Sequence, residues 1–352
     1  MERTAHAYWL RSPGSGEIRT VALGSPGPGE VLVRALYSGV SRGTETLVFD
    51  GRVPRSQHDV MRAPFQEGDF PGPVKYGYLS VGVVEESGEG VDAALMGRTV
   101  FCLHPHQTRY VVPADAVTPV PEAVPARRAV LAGTVETAVN AVWDAAPALG
   151  DRIAVVGAGM VGACVASVLS RFPAARVQLV DADPGRAAVA AALGVPFALP
   201  ADATGECDIV VHASASQEGL ARSLELLAPD GEVIELSWYG DRKVSIPLGE
   251  SFHSRRLAVR SSQVGALPPS RRARRGFADR MALALDLLAD PAMETLITGE
   301  SAFGDLPAVM PRIAGGELPA LCHLVTYDKA EENDNDDANE GNVGNDGSTA
   351  AG

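Results

Sequence analysis

The stretch Ile153-Ala154-Val155-Val156-Gly157-Ala158-Gly159-Met160-Val161-Gly162 constrains this chain more than any other. A short β-branched run leads into G-x-G-x-x-G and then into the Ala-rich segment Ala163 to Ser170, an order that reads as strand, turn and helix. Gly157 permits the tight turn, Gly159 lets backbone approach a pyrophosphate, and Gly162 lets the helix pack closely on the strand. The helix start, with Met160 and Val161, offers free N–H groups and a positive dipole end to phosphate. A second strand, Val177 to Val180, ends in Asp181, and 181 − 162 = 19 puts that carboxylate near the ~20-residue spacing of a ribose-binding acid. Turn, helix and acid together predict a dinucleotide site.

The chain has 352 residues, which is long for a single core and predicts two domains of ordinary size. A hydrophobic content of 46% against 21% charged is that of a soluble globular protein. Met1 to Leu10 has no apolar leader-type run, and no segment carries the ~18 uninterrupted apolar residues of a membrane span, so the expectation is a cytoplasmic protein with no membrane partner. Cys102, Cys164, Cys207 and Cys322 lie far apart without a C-x-x-C pair, which predicts reduced, buried thiols and no structural zinc. The net charge of −14 is unevenly spread: Asp328 to Gly352 holds eight acids and one lysine, hence −7, and with almost nothing to bury it is expected to be disordered. No calcium-loop register fits this tail.

Residues 1–125 read as β-rich, with Val-rich runs at Glu30 to Leu36, Leu79 to Glu85, Arg98 to Leu103 and Tyr110 to Val112 separated by Pro/Gly turns, a pattern expected of a small barrel. Ala126 to Ala146 reads as one helix. From Asp151 strands and helices alternate as a parallel sheet requires, with strands at Ile153 to Val156, Val177 to Val180, Ile209 to His212, Val233 to Leu236 and Leu257 to Ser261. The fold class is therefore α/β: a β-barrel, then a doubly wound parallel sheet over 126–265, a return segment 266–328 completing the first domain, and a tail 329–352.

The order of these parts resembles the medium-chain dehydrogenase/reductase superfamily of zinc-type alcohol dehydrogenases over about residues 1 to 328. Ser38-Gly39-Val40-Ser41-Arg42-Gly43-Thr44-Glu45 looks like its G-[VI]-C-G-T-D turn, and Gly77-Tyr78-Leu79-Ser80-Val81-Gly82 like its G-H-E-x-x-G. Lys75-Tyr76-Gly77-Tyr78 and Ser262-Gln263-Val264-Gly265 look most like the branch that includes bacteriochlorophyllide dehydrogenase. The resemblance implies a GroES-like barrel, a Rossmann domain, a small-molecule alcohol or carbonyl substrate in the cleft between them, and a homodimer joined through sheet edges. It also implies that Leu236 to Trp238, with Ser237, and Ser262 to Val264, with Gln263, approach the nicotinamide.

Departures from the family pattern lie at the metal. Family members hold zinc through a Cys of the first motif, the His of G-H-E and a later Cys; here those positions are Ser41 or Arg42, Tyr78, and a site near Gly133. Zinc needs three such ligands and an open position, so a family-type zinc site is not expected. His104 and His106 flank Pro105 and read as surface or loop histidines, although on a strand they would face one way and bind metal with Glu45 or Glu136. Without zinc, the charge that develops on the substrate oxygen needs another partner. Tyr78 is the candidate donor, as against a packing residue in the vacated pocket, with Thr44 passing protons onward. Glu136 is a second candidate acid or base, more readily read as a solvated helix residue. Asp181 with Asp183 favours NAD(H) over NADP(H), because a carboxylate accepts from the ribose 2′-OH and repels a 2′-phosphate, whereas Arg186 works the other way. The Arg255-Arg256 and Arg271-Arg272, Arg274-Arg275 clusters read as exposed basic faces, with no nucleic-acid motif beside them. The competing readings are a zinc-dependent alcohol dehydrogenase with unusual ligands and a non-catalytic dinucleotide-binding protein.

Overall fold

The computed structural model describes residues 3–327, so the acidic tail predicted to be disordered lies outside the described residues. Its centre is a six-stranded parallel sheet in the order Phe197–Ala198, Arg176–Val180, Arg152–Val156, Cys207–His212, Leu227–Glu235, Ala258–Ser261. In chain order this is the 3-2-1-4-5-6 arrangement of a dinucleotide-binding sheet, whose order reverses between the strands ending at Val156 and at His212. Its strands are continuous apolar runs because helices cover both faces, and Ala154, Val155, Val210, Val211, Val233 and Ile234 are fully buried. Met160–Leu169, Ala187–Ala192 and Gln217–Leu226 are the crossover helices. The Pro229-Asp230-Gly231 turn is a bulge inside one strand, where Cys207 pairs with Leu227 but Ile209 pairs with Glu232.

The barrel is more elaborate than its Val-rich runs showed. Its main sheet runs Ile297–Ala302, Cys322–Thr326, Glu30–Ser41, Ser80–Ser87, Thr99–Cys102, Val117–Pro119, with Arg109–Pro113 also paired to Glu30–Ser41. A hairpin of Thr4–Ser12 and Ser15–Ala22 forms a second sheet with Val74–Lys75 and Glu67–Gly68. The helix predicted as a single unit from Ala126 is broken into Ala126–Ala129 and Ala132–Ala145, the latter ending at Ala146 in the left-handed region (φ 46°). This second helix is buried nearly all round. One apolar cluster runs from Leu79, Val81 and Phe101 of the barrel through Val135, Ala138 and Val139 to Ile153, Val155, Val211 and Ile234 of the parallel sheet. The segment after residue 265 serves both sides: Phe277–Leu287 packs Met281, Ala284 and Leu285 into that cluster, while Ile297–Ala302 and Cys322–Thr326 extend the barrel sheet. All four cysteines are buried and free. Among the described residues no helix is long and apolar enough to cross a membrane.

Candidate active site

The glycine turn has the shape its spacing requires. Gly157 has φ +107°, and a Cβ there would stand 2.6 Å from Ser214 N; on Gly162 it would stand 1.8 Å from the carbonyl oxygen of Gly157. Both positions are therefore closed to any side chain. Gly159 faces open space and is the N-cap of Met160–Leu169, so the first N–H groups of that helix are left for a ligand. Met160 is buried and Val161 packs partly into the core below. Asp181, at the exit of its strand, is tied to the same turn: Oδ2 accepts from Ala158 N at 2.6 Å and Oδ1 from Asp183 N at 2.9 Å. Asp183 in turn holds the Arg186 guanidinium at 3.3 Å. These donors and this acid fit a dinucleotide: N–H groups at a helix start for its diphosphate and a fixed carboxylate for a ribose hydroxyl.

Ser262 and Ser237 sit on the next two strand exits, both turned into protein hydrogen bonds. Ser262 N donates to Glu235 O at 3.0 Å and its hydroxyl to Asp144 Oδ2 at 2.6 Å; Gln263 O accepts from Asn140 Nδ2 at 3.4 Å. Ser237 Oγ accepts from Ala215 N at 3.0 Å. Trp238 crosses to the barrel, packing into the cluster that holds Val48, Val53 and Tyr76, and Arg52 is paired with Asp241 at 3.0 Å.

On the barrel side, Ser38 to Glu45 is a strand end running into the helix Arg42–Phe49, where the family resemblance suggested only a turn. Ser41 is the N-cap, yet its hydroxyl caps no N–H. Burial, followed by the charge of Glu45, pushes the Tyr78 phenol up to about 12 against the pull of the Ser41 and Thr44 hydroxyls, so it stands protonated at neutral pH. Tyr76 and Tyr8 are held above the ordinary range by burial and again by Glu45.

Glu45 itself is 5% exposed and accepts from Ser41 N at 2.7 Å and from His106 Nε2 at 2.9 Å. His106 Nδ1 meets Ser38 Oγ at 2.7 Å, and Ser38 meets the Tyr327 hydroxyl at 2.9 Å.

Three expectations need correction. His104 and His106 do lie on a loop, but they are buried at 4% and 1% exposure; His104 stacks on Tyr110 at 3.7 Å, and burial with the nearby Lys75 charge lowers it to about 3. They do not converge, because His106 is spent on Glu45 and Ser38, so the alternative zinc set built on this pair is not assembled. Glu136 is not solvated: it is 5% exposed and faces Arg280 at 3.0 Å, a residue sequence reasoning missed. Arg255 is half-buried and paired with Glu206 at 2.7 Å, whereas Arg256, beside Asp230 at 2.8 Å, and Arg271, Arg272, Arg274 and Arg275 are exposed as expected.

Family-type zinc does not fit this donor set. Ser41 and Tyr78 replace thiolate and imidazole, and a Cβ at Gly133 would stand 2.6 Å from Leu79 Cδ2, so the third position is filled by leucine. Among the described residues no three His, Cys, Asp or Glu side chains are grouped to hold a metal.

A barrel packed on a 3-2-1-4-5-6 sheet through one helix, with the glycine turn at the junction, has many solved counterparts. The chain superposes on 2R,3R-butanediol dehydrogenase from Bacillus subtilis with a TM-score of 0.73 at 17% identity, covering 92% of this chain and 99% of that one. The fold is that of the medium-chain dehydrogenases. Acetophenone reductase from Geotrichum candidum in complex with NAD gives 0.74 at 18% identity (93% and 98% covered), and a putative zinc-binding dehydrogenase from Sinorhizobium meliloti bound to NADP gives 0.74 at 18% (92% and 100%). In sequence, 88 residues are 34% identical to 2-desacetyl-2-hydroxyethyl bacteriochlorophyllide A dehydrogenase of Cereibacter sphaeroides. That match spans 25% of this chain and 22% of the curated relative. No family model matches the chain.

Beyond Arg280, sequence reasoning missed His212 and Glu235. Both were legible as polar residues at the exits of two adjacent parallel strands, where such sheets bind ligands. Arg280 was legible too, since it lies beside Met281 and four residues before Ala284, on the face the helix buries.

Proposed function

We propose that this protein is an NAD(H)-dependent oxidoreductase that moves a hydride between the nicotinamide and an alcohol or carbonyl substrate without catalytic zinc. The observation that supports it most is the pairing of an intact dinucleotide turn with a protonated phenol, Tyr78, at the position a family zinc ligand would take. The bound nicotinamide supplies or accepts the hydride. The chain's part is to hold the dinucleotide at Gly157, Gly159, Gly162 and Asp181, and to offer the Tyr78 O–H to the substrate oxygen as charge develops there. Thr44, whose hydroxyl acts on the Tyr78 phenol, passes the proton onward. Asp181 favours NAD(H), and the charge of Arg186 is partly matched by Asp183 at 3.3 Å. Glu136 acts through Arg280 rather than on substrate. The edge strand Ala258–Ser261, exposed along its whole length, pairs with a second copy in a homodimer.

Tyr78→Phe tests the chemistry. Against a panel of alcohols and carbonyl compounds, the variant should bind NADH as the parent does and lose about 10²-fold or more in kcat. Unchanged kcat removes Tyr78 from the mechanism, and a parent protein that binds NADH but turns over no member of the panel favours the non-catalytic reading.

A further inference from the structure

His212 and Glu235 are in register at the exits of neighbouring parallel strands, and His212 has no exposed surface. Its Nδ1 lies 2.8 and 2.9 Å from the two Glu235 oxygens, and its Nε2 lies 2.6 Å from Ser214 Oγ. A carboxylate accepts only, so Glu235 selects the tautomer with a proton on Nδ1, and Nε2 then accepts from the Ser214 hydroxyl. Burial pushes the Glu235 carboxyl up, but hydrogen bonds from His212 and Ser237 outweigh it and leave the group below its ordinary range.

The network spreads into both flanking segments. Ser214 Oγ meets Ser216 Oγ at 2.8 Å, and Ser216 Oγ accepts from Gly219 N at 3.0 Å to cap the helix Gln217–Leu226. On the other side Glu235 accepts from Ser237 N at 2.7 Å and from the Tyr239 hydroxyl at 3.2 Å, and Arg242 donates to Ala215 O at 2.8 Å. Ala215 itself is held at φ 51°, a conformation that a residue with a side chain keeps only under constraint.

Position gives this cluster its meaning. Val156 is the register partner of His212, so the residues leaving the two strands, Gly157 and Ser214, are neighbours across the point where the sheet order reverses. That crevice is where open α/β sheets take their ligands. The other flank, Leu236 to Asp241, is the loop whose Trp238 and Asp241 touch the barrel. A pair of apolar residues at two strand ends would pack at no desolvation cost; a buried His–Glu pair adds no stability over it, but it fixes direction.

We propose that His212 and Glu235 are a positioning pair that holds Ser214–Ser216 and Ser237–Tyr239 as the wall of the dinucleotide crevice, presenting the backbone groups of these segments to the ribose and diphosphate of the bound dinucleotide. The proposal rests on the dinucleotide reading given above. It is tested on the full chain with NADH as the probe, by fluorescence titration, using the double variant His212→Leu/Glu235→Leu and the single variant His212→Gln. The double variant replaces the pair by apolar side chains and should melt within a few degrees of the parent while binding NADH at least tenfold more weakly. In His212→Gln the amide reaches the Nε2 position and keeps the link to Ser214, so affinity should stay within about threefold of the parent, a rescue that loss of packing alone would not produce. A double variant that binds NADH as tightly as the parent overturns the proposal. If the double variant does not fold, His212→Gln decides: tenfold weakening with an unchanged melting temperature counts against the link to Ser214. A parent that binds neither NADH nor NADPH overturns the dinucleotide reading itself, and this proposal with it.

Discussion

Arg280→Met probes a deeply buried charge. Arg280 is 2% exposed; Nε donates to Glu136 Oε1 at 3.1 Å and Nη2 to Val264 O at 2.6 Å, and Nη1 donates to Asn140 Oδ1. Methionine fills much of the same volume, so the loss is electrostatic: the Glu136 carboxylate stays buried with no counter-charge, and the Val264 carbonyl loses its donor. Breaking such a pair from one side costs about 3–5 kcal/mol. For a domain of this size each kcal/mol moves the midpoint by roughly 2–4 °C, so the melting temperature should fall by about 10 °C.

The pH dependence separates charge burial from lost packing. Burial already holds Glu136 above the ordinary carboxylate range against the pull of Arg280, and without Arg280 it rises further. A carboxyl whose folded value is raised carries no penalty below its unfolded value and acquires the full penalty as pH rises through the folded one. Urea unfolding should therefore show Arg280→Met far below the parent at pH 8 and close to it near pH 4.5, and Arg280→Met/Glu136→Leu should regain most of the loss at pH 8. A penalty of equal size at both pH values, or one under about 1 kcal/mol at pH 8, refutes the reasoning.

Gly157→Ala puts a Cβ 2.6 Å from Ser214 N at φ +107°, so it should abolish NADH binding in a titration while the barrel strands keep their circular dichroism. Asp181→Ser should raise NADPH affinity relative to NADH by about tenfold or more, read as the ratio of dissociation constants; a ratio unchanged from the parent removes Asp181 from cofactor choice. His104, lowered to about 3 by burial and then by Lys75, stays neutral in the fold while the unfolded chain binds a proton below about pH 6.5. Stability is therefore full above that value and falls by up to about 1.4 kcal/mol per pH unit between it and the folded value. His104→Phe should flatten that part of the urea-midpoint profile, and an unchanged slope would show that another group carries it.

The dinucleotide half of the molecule was legible because its signals are local. A β-branched run, three glycines at fixed spacing and an acid about twenty residues on specify a strand, a turn with no room for side chains and a helix start, and each of these is a property of neighbouring residues. The strand exits at His212, Glu235 and Ser262 were readable to within a residue or two for the same reason. The barrel was legible only in its Val-rich runs. The hairpin Thr4–Ser12 and Ser15–Ala22 carries few apolar residues on one half, and its place in the sheet is set through partners such as Val74 that lie some sixty residues away. The helix Arg42–Phe49 was hidden by a glycine near its start and by the motif it overlaps.

The sequence by itself determined the order of the two folding units, the position of the glycine turn and acid that suit a dinucleotide, and the absence of thiolate and imidazole at the family's metal positions. Tertiary structure alone decided what the remaining charges do. Glu45 meets His106 across 61 residues and Glu136 meets Arg280 across 144. Neither pairing leaves a trace in local spacing, because a buried charge is matched by whatever the folded chain brings within about 3 Å, and that is set by packing of the barrel, the shared helix and the parallel sheet together. The same packing buried two apparent surface or loop histidines and one apparent surface glutamate.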